Sequence, residues 1–149
     1  MENSQAVLNE GESVFTDILP YIIWTVALVG SAGSIFLSDV MGYPPCLLCW
    51  YQRIALYPLV VIVGVGIVTG DKGWKKYAVV FTVIGILIAA YHNLLYYGFI
   101  PETITPCSEG VPCNARQLEL FGFITIPLMS LASFIFIGAM LLFTKTKHK

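Results

Sequence analysis

The sequence YAVVFTVIGILIAAYHNLLYYGFIP, residues 77–101, carries no charged side chain between Lys76 and Glu102. A helix needs about 17–25 mainly apolar residues to cross the roughly 30 Å hydrocarbon core of a bilayer. Lipid accepts such a segment as a helix because its backbone hydrogen bonds are internal. This stretch is therefore predicted to be a transmembrane helix.

Three further uncharged runs of similar length lie around it: 18–38, 54–70 with the uncharged residues 50–52 before it, and 120–144. They predict one all-α integral membrane domain over residues 1–149. Composition agrees, since 57% of the residues are hydrophobic and 11% are charged, against about 25% charged in soluble domains. A soluble helical core is the alternative, and it leaves too little polar surface. The four-transmembrane-helix bundle is predicted to have its helices at about 18–38, 50–70, 77–98 and 123–144.

The lysines set the predicted orientation. They fall in two segments, one between helices two and three and one after helix four, and the positive-inside rule places both in the cytoplasm. With four crossings, both termini are then cytoplasmic, and the segments around 38–46 and 98–123 lie on the extracytoplasmic side of the cell membrane. A net charge of -1 gives no reason to expect a nucleic-acid partner. The lysines are Lys72, Lys75, Lys76, Lys145, Lys147 and Lys149.

All four cysteines fall on the predicted extracytoplasmic side. Cys46 and Cys49 lie at the first outer segment, and Cys107 and Cys113 lie within the second. Disulfides form and persist on that face of the membrane. Two close pairs on one side therefore predict thiol–disulfide chemistry there.

The first pair opens helix two in the sequence PPCLLCWYQR, residues 44–53. Two prolines break the preceding chain and can start a helix. Spacings of three and four then put Cys46, Cys49 and Arg53 on roughly one helix face. A helix N-terminus and a nearby guanidinium both stabilise a thiolate, the reactive form of cysteine. The alternatives for this pair are a structural disulfide and a metal site.

Arg53 and His92 are polar side chains predicted to lie inside the outer ends of two membrane helices. A charge at such a depth is costly and usually functional, and the alternative for Arg53 is snorkelling to the headgroups. His92 lies about 7–8 Å below the outer border of helix three, at 1.5 Å per residue, a depth comparable with that of Arg53. The two side chains predict a shared pocket for a polar ring. A packed histidine bonded to a neighbouring helix is the alternative for His92.

The second pair lies in PCSEGVPC, residues 106–113, where a glycine and a proline favour a turn that closes the loop. The pair is either a redox disulfide or a brace for the loop. Residues 114–117, Asn-Ala-Arg-Gln, are similar to a capping box and predict a short helix in this outer loop.

The sequence CLLCWYQR, residues 46–53, resembles the C-x-x-C-x-Y-x-R signature of the disulfide bond formation protein B family, DsbB and its BdbC-type relatives. The histidine of helix three and residues 113–127, CNARQLELFGFITIP, are similar to that family as well. The resemblance covers nearly the whole chain. The C-x5-C spacing of the second pair is similar to that of the compact BdbC-type members and shorter than in the longer DsbB form.

The resemblance implies an enzyme, a disulfide-forming thiol:quinone oxidoreductase that supports disulfide formation in exported proteins. Its implied partners are an extracytoplasmic thioredoxin-like oxidase of the DsbA or BdbD type, membrane lipid, and a quinone pool of ubiquinone or menaquinone. No metal is implied. The implied redox disulfides are Cys46–Cys49 and Cys107–Cys113, the catalytic residues are these four cysteines and Arg53, and the quinone-binding residues are Cys49, Arg53 and His92.

The route of the electrons is also implied by the resemblance. The reduced partner would attack Cys107 and form a mixed disulfide, and the released Cys113 would exchange with Cys46. Cys49 would be left as a thiolate beside Arg53, facing the quinone. Partner oxidases of this kind have reduction potentials of about -120 mV, so their reoxidation needs a strong electron acceptor.

Three other functions compete with this one. A vitamin K epoxide reductase-like enzyme also joins C-x-x-C to quinones, but the order of motifs fits it less well. A metal-binding electron-transfer protein would need the sulfurs to converge, and Trp50 after the C-x-x-C excludes a C-x-x-C-H haem attachment. A transport or structural bundle would need a polar path, whereas small residues such as Gly30, Gly33 and Ser34 favour close helix packing.

Overall fold

The computed structural model describes residues 2–71, 73–100, 112–113, 119–120 and 124–144, and it describes the side chains of the helices from Asp17 onward. Four long helices form it: α1 (Glu2–Ile35), α2 (Leu47–Thr69), α3 (Trp74–Tyr96) and α4 (Ile126–Phe143). A π-helical turn, Phe36–Val40, continues α1.

Each helix packs against the next along the chain, and α4 packs against α1, so the four close into a bundle. All four are long and apolar enough to cross a membrane. The predicted all-α membrane fold is confirmed, and the chain is a multi-pass membrane protein. In the described part of the chain, the only strands are β1 (Glu119–Leu120) and β2 (Ile124–Thr125), which pair antiparallel.

The outward surface of the bundle is apolar. Large hydrophobic side chains are exposed on every helix; Val68 is 86% exposed and Leu142 is 83% exposed. A soluble protein rarely exposes so much contiguous apolar surface. Hydroxyls on this surface bond to the carbonyl four residues earlier, as Thr25 does to Tyr21 and Ser133 to Met129. Their polarity is thereby satisfied without water, which a lipid environment requires.

The helix ends differ from the predicted bounds for local reasons. Helix α1 extends back to Glu2 and continues through Pro20. Helix α2 starts at Leu47 because Cys46, which has extended backbone, is its N-cap, and it ends at Thr69, before the C-cap Gly70, whose φ is 65°. Helix α4 starts only at Ile126, since the two residues before it pair with β1 and Thr125 caps the helix by accepting a hydrogen bond from the Leu128 N–H.

The interior has two parts. The larger core lies along the middle of the bundle and consists mainly of apolar side chains, among them Leu59, Phe134 and Ile137. The smaller cluster consists of Cys46, Leu48, Leu95 and Cys113 and lies where α2 begins and α3 ends. We call this end of the bundle the cysteine end.

Hydrogen bonds also tie helices together across this interior. The Trp24 indole N–H donates to the Val60 carbonyl, which fixes α1 against α2. The Asn93 amide donates to the Pro127 carbonyl at 2.9 Å, which fixes the end of α3 to the first turn of α4. The bundle therefore holds the cysteine end between helices whose relative positions are set by polar as well as apolar contacts.

Candidate active site

The first cysteine pair lies on the opening turn of α2. Cys46 is the N-cap residue, and its Sγ accepts a hydrogen bond from the Cys49 backbone N–H at 3.3 Å. The two Sγ atoms lie 2.8 Å apart, and both cysteines are free thiols. Because a disulfide bond measures about 2.05 Å, only a small movement separates this dithiol from the oxidised pair.

The surroundings of Cys46 favour its thiolate. A hydrogen bond from the Cys49 thiol lowers the pKa of Cys46 most, and the nearby His92 lowers it further, while burial of the sulfur works in the opposite direction. The net effect lowers the pKa of Cys46 to about 4. A cysteine in that state is an activated nucleophile at neutral pH.

His92 joins the two cysteine regions. Its ring is 2% exposed, and Nε2 lies 3.8 Å from the Cys46 Sγ and 3.1 Å from the Cys113 carbonyl oxygen. One nitrogen of one buried side chain thus contacts a residue of each pair. Cys113 is itself buried and disulfide-bonded. The site is therefore a single cluster built from α2, α3 and the segment that precedes α4.

The hydrogen bonds of His92 determine its tautomer. A carbonyl oxygen can only accept, so Nε2 carries the hydrogen that it donates to Cys113. The other ring nitrogen, Nδ1, then accepts from the amide Nε2 of Gln52 at 3.1 Å. Gln52 is itself buried. It fixes the orientation of the imidazole and leaves the Nε2–H directed toward the cysteine end.

Arg53 has partners on a different helix. Its Nε donates to the Ser34 hydroxyl and its Nη2 donates to the Ser34 carbonyl, each at 2.7 Å. Its guanidinium also lies 5.2 Å from the centre of the Trp50 ring, within the range of a cation–π contact. Arg53 therefore faces α1, whereas His92 contacts Cys46, Gln52 and Cys113. The predicted shared pocket of Arg53 and His92 stays a prediction.

Sequence reasoning did not single out Gln52, and it assigned Ser34 only to helix packing. A signal for Gln52 existed, because it is an uncharged polar residue inside an apolar run, three positions after Cys49. The pairing of Ser34 with Arg53 had no such signal, since helical periodicity does not tell which helix lies opposite Arg53. Of the predicted packing residues on α1, a Cβ on Gly30 would meet Leu56 at 3.3 Å, while one on Gly33 would meet nothing within 4 Å.

The described part of the chain contains one group of possible metal ligands, formed by Cys46, Cys49 and His92, whose ligand atoms all lie within 4.8 Å of one another. Cys113 is disulfide-bonded and offers no thiolate. In the described part of the chain, two thiols and one imidazole therefore come together, and not four thiolates.

Two predictions from the sequence lie outside the described residues. Cys107 is one, so its pairing with Cys113 stays a prediction. The short helix that begins at residues 114–117 is the other.

Comparison with known proteins points to one family. A family model described as disulfide bond formation protein DsbB matches residues 17–144. The match begins at the membrane-spanning part of α1 and ends just after α4. It therefore includes both cysteine pairs, Arg53 and His92.

Individual relatives agree with the family model. Disulfide bond formation protein C of Bacillus subtilis is 44% identical over 119 residues, which cover 78% of this chain and 85% of the relative. A probable disulfide formation protein of Metapseudomonas resinovorans is 37% identical over 141 residues, covering 94% of this chain and 98% of the relative. One from Oceanobacillus iheyensis is 43% identical over 117 residues. No solved structure gives a significant match.

Proposed function

Because the chain belongs to the DsbB family of disulfide bond formation proteins, we propose that it is a thiol:quinone oxidoreductase that reoxidises an extracytoplasmic thioredoxin-like oxidase. Disulfide-forming oxidoreductase activity follows from the family. The proposal adds the quinone, the protein partner of the DsbA or BdbD type, and the route between them. The single observation that carries it is the contact of His92 with both Cys46 and Cys113.

That contact supports transfer between the pairs. The partner dithiol would reduce a Cys107–Cys113 disulfide and leave as a disulfide itself, which moves two electrons and two protons to this chain. Thiol–disulfide exchange then requires a sulfur of the second pair to reach Cys46. Because His92 holds the Cys113 backbone beside the Cys46 region, only local movement of the Cys113 side chain is needed for this exchange.

The arrangement of thiols corresponds to one step of this route. Cys46 and Cys49 are free thiols, and Cys113 is disulfide-bonded. In the proposed cycle, this state follows arrival of two electrons at the first pair and reoxidation of the second. Cys46 and Cys49 then close to a disulfide as the two electrons leave the pair.

The donors near the first pair fit a quinone as electron acceptor. A quinone takes up two electrons and two protons, and its carbonyl oxygens accept hydrogen bonds. Two of the five N–H groups of Arg53 donate to Ser34, and in the described part of the chain the others have no protein acceptor. Trp50 beside it is half exposed at the surface of the bundle. Arg53 and Cys49 would hold the ring there, and His92 would become a third donor once its Nε2–H leaves the Cys113 carbonyl.

The orientation is part of the same proposal. The lysine-bearing segments would lie in the cytoplasm with both termini, and the cysteine end would lie on the extracytoplasmic side. A membrane-embedded acceptor would then be reached from a thiol pair at the outer surface. This arrangement couples disulfide formation in exported proteins to the quinone pool.

A reconstituted assay tests the proposal. Purified full-length protein in detergent is mixed with a reduced thioredoxin-like oxidase and either a ubiquinone or a menaquinone analogue, and quinone absorbance is followed. We expect one quinone reduced for each partner disulfide formed. Partner oxidation without quinone reduction would refute the quinone as acceptor, and reduction of quinone by a small dithiol but not by the reduced oxidase would refute the protein partner.

The variant Cys107→Ser tests whether the second cysteine pair transfers electrons or only stabilises the loop. It removes the sulfur that the partner is proposed to attack, so we expect loss of partner oxidation. Oxidation of a small dithiol through Cys46 and Cys49 should persist, with quinone reduced. Full activity of this variant with the protein partner would show that the second pair is structural.

A further inference from the structure

Three side chains at the cysteine end form a compact set of donor atoms. Cys46 and Cys49 come from the start of α2, and His92 comes from α3. Their Sγ and ring nitrogen atoms lie within 4.8 Å of one another. The Cys46 Sγ is 2.8 Å from the Cys49 Sγ and 3.8 Å from the His92 Nε2. Two thiols and one imidazole are a donor set that borderline and soft metal ions prefer.

The spacing suits a tetrahedral ion. With metal–sulfur bonds of about 2.3 Å and metal–nitrogen bonds of about 2.0–2.1 Å, neighbouring ligands of a zinc ion lie roughly 3.5–3.8 Å apart. The separation of Cys46 from His92 already meets this value. The two sulfurs must move apart by about 1 Å. A side-chain rotation of Cys49 on the first turn of α2 supplies such a movement.

The surroundings supply an outer-shell partner. Binding of a metal at Nε2 moves the ring hydrogen to Nδ1, and the bond to the Cys113 carbonyl is lost. Rotation of the Gln52 amide then presents its oxygen to the Nδ1–H at the position where its nitrogen now lies. Ligating histidines almost always donate their second N–H in this way.

We propose that the reduced chain binds one zinc-class divalent cation through Cys46, Cys49 and His92. Binding forms two metal–thiolate bonds and one metal–imidazole bond and releases the proton of the Cys49 thiol, without transfer of electrons. The Cys46–Cys49 disulfide lacks both thiolates and does not bind the ion. The metal therefore protects the reduced pair from oxidation. Its consequence for turnover rests on the proposed function, whereas binding itself does not.

The test uses cadmium or cobalt as a spectroscopic probe. Full-length protein in detergent carries Cys107→Ser and Cys113→Ser, so that only the first pair can supply thiolates. We expect one ion per reduced chain, with thiolate-to-metal charge-transfer absorption. After oxidation of the pair, the absorption should be absent. A signal that survives oxidation would overturn the proposal.

Variants locate the ligands. Cys46→Ser and Cys49→Ser should each abolish the charge-transfer signal at equimolar metal. His92→Ala should weaken binding by at least about tenfold, and Gln52→Leu by about 10–100-fold, as for other outer-shell partners. His148→Ala changes the only other histidine and should leave binding unchanged. Wild-type affinity in His92→Ala, with helicity retained by circular dichroism, would overturn the assignment.

A protection assay gives a readout independent of the spectra. Zinc should slow oxidation of the Cys46–Cys49 pair by a soluble disulfide, and a chelator should restore the rate. Equal rates with and without zinc would refute the site. Quinone turnover by metal-free protein is measured separately, so failure of the proposed function and failure of the metal site have different signatures.

Discussion

Cys46 is both the cysteine with the activated sulfur and the N-cap residue of α2. Its pKa is lowered to about 4, first by the Cys49 thiol and then by His92, so it remains a thiolate as the pH falls from 7 to 5. For an ordinary thiol, with a pKa of about 8.5, the thiolate fraction would fall roughly 100-fold over that range. We therefore expect the rate of Cys46 alkylation by iodoacetamide in the reduced protein to change little between those pH values. Mass spectrometry of the labelled peptide measures the rate.

Two substitutions of Cys49 test the cause of this shift. Cys49→Ala removes the donor, so the pH midpoint of Cys46 alkylation should move upward. Cys49→Ser keeps a hydroxyl donor at the same position and should retain more of the shift. Equal midpoints in the two variants would show that the hydrogen bond from residue 49 is not what lowers the pKa of Cys46.

Arg53 is expected to stabilise negative charge on Cys49 and on the reduced quinone. Arg53→Gln removes a charge-assisted interaction of about 1.5–3 kcal/mol, and a loss of that size in the transition state slows quinone-dependent turnover by roughly 10–150-fold. Arg53→Lys should be milder because it keeps the charge, yet it cannot reproduce the two bonds to Ser34. Steady-state rates at matched membrane abundance measure both variants. Unchanged turnover and quinone KM in Arg53→Gln would mean that the arginine only snorkels.

At the scale of the helices, the packing of α3 against α4 depends on Gly85. A Cβ at this position would lie 2.2 Å from Cε1 of Phe134, which is almost fully buried. Gly85→Ala must therefore displace the ring, and overpacking of this kind costs about 1–3 kcal/mol. We expect a lower unfolding midpoint for purified protein in detergent.

Gly33→Ala is the matched control for that change. A Cβ on Gly33 meets nothing within 4 Å, and replacing a mid-helix glycine by alanine stabilises a helix by about 0.5–1 kcal/mol. Its unfolding midpoint should be equal to or above that of the wild type. A midpoint for Gly85→Ala as high as that of Gly33→Ala would show that Phe134 moves without cost.

The helices themselves were predictable because an uncharged apolar run of this length is stable in lipid as a transmembrane helix. The contacts between them were not. Periodicity placed Cys46, Cys49 and Arg53 on roughly one face of α2, yet Arg53 bonds to Ser34 on α1 and Cys46 contacts His92 on α3. Which residue lies across an interface depends on the rotation and separation of two helices, which a single sequence does not specify. The contact between Gly85 and Phe134 was hidden for the same reason.

At the scale of the whole molecule, the thiol groups and the lysine side chains that the structure describes lie at opposite ends of the bundle. The cysteines and His92 lie at one end, and the middle of the bundle is an apolar core. At the opposite end, Lys75 near the start of α3 donates to the Thr144 carbonyl after α4. A cation there also complements the negative end of the α4 dipole. This arrangement separates the proposed redox end from the positively charged end by the full length of the helices.

The proposed orientation of that arrangement makes a direct prediction. In a variant whose only cysteine is Cys107, a membrane-impermeant maleimide should label intact cells after reduction, because the positive-inside rule puts the lysine-bearing segments in the cytoplasm. A second variant with Lys76→Cys as the only cysteine should be labelled only after lysis, since Lys76 lies near the start of α3. Gel shift of the labelled protein measures both. Labelling of Cys107 only after lysis would reverse the orientation, and it would remove the extracytoplasmic oxidase as a partner because the thiols would face the reducing cytoplasm.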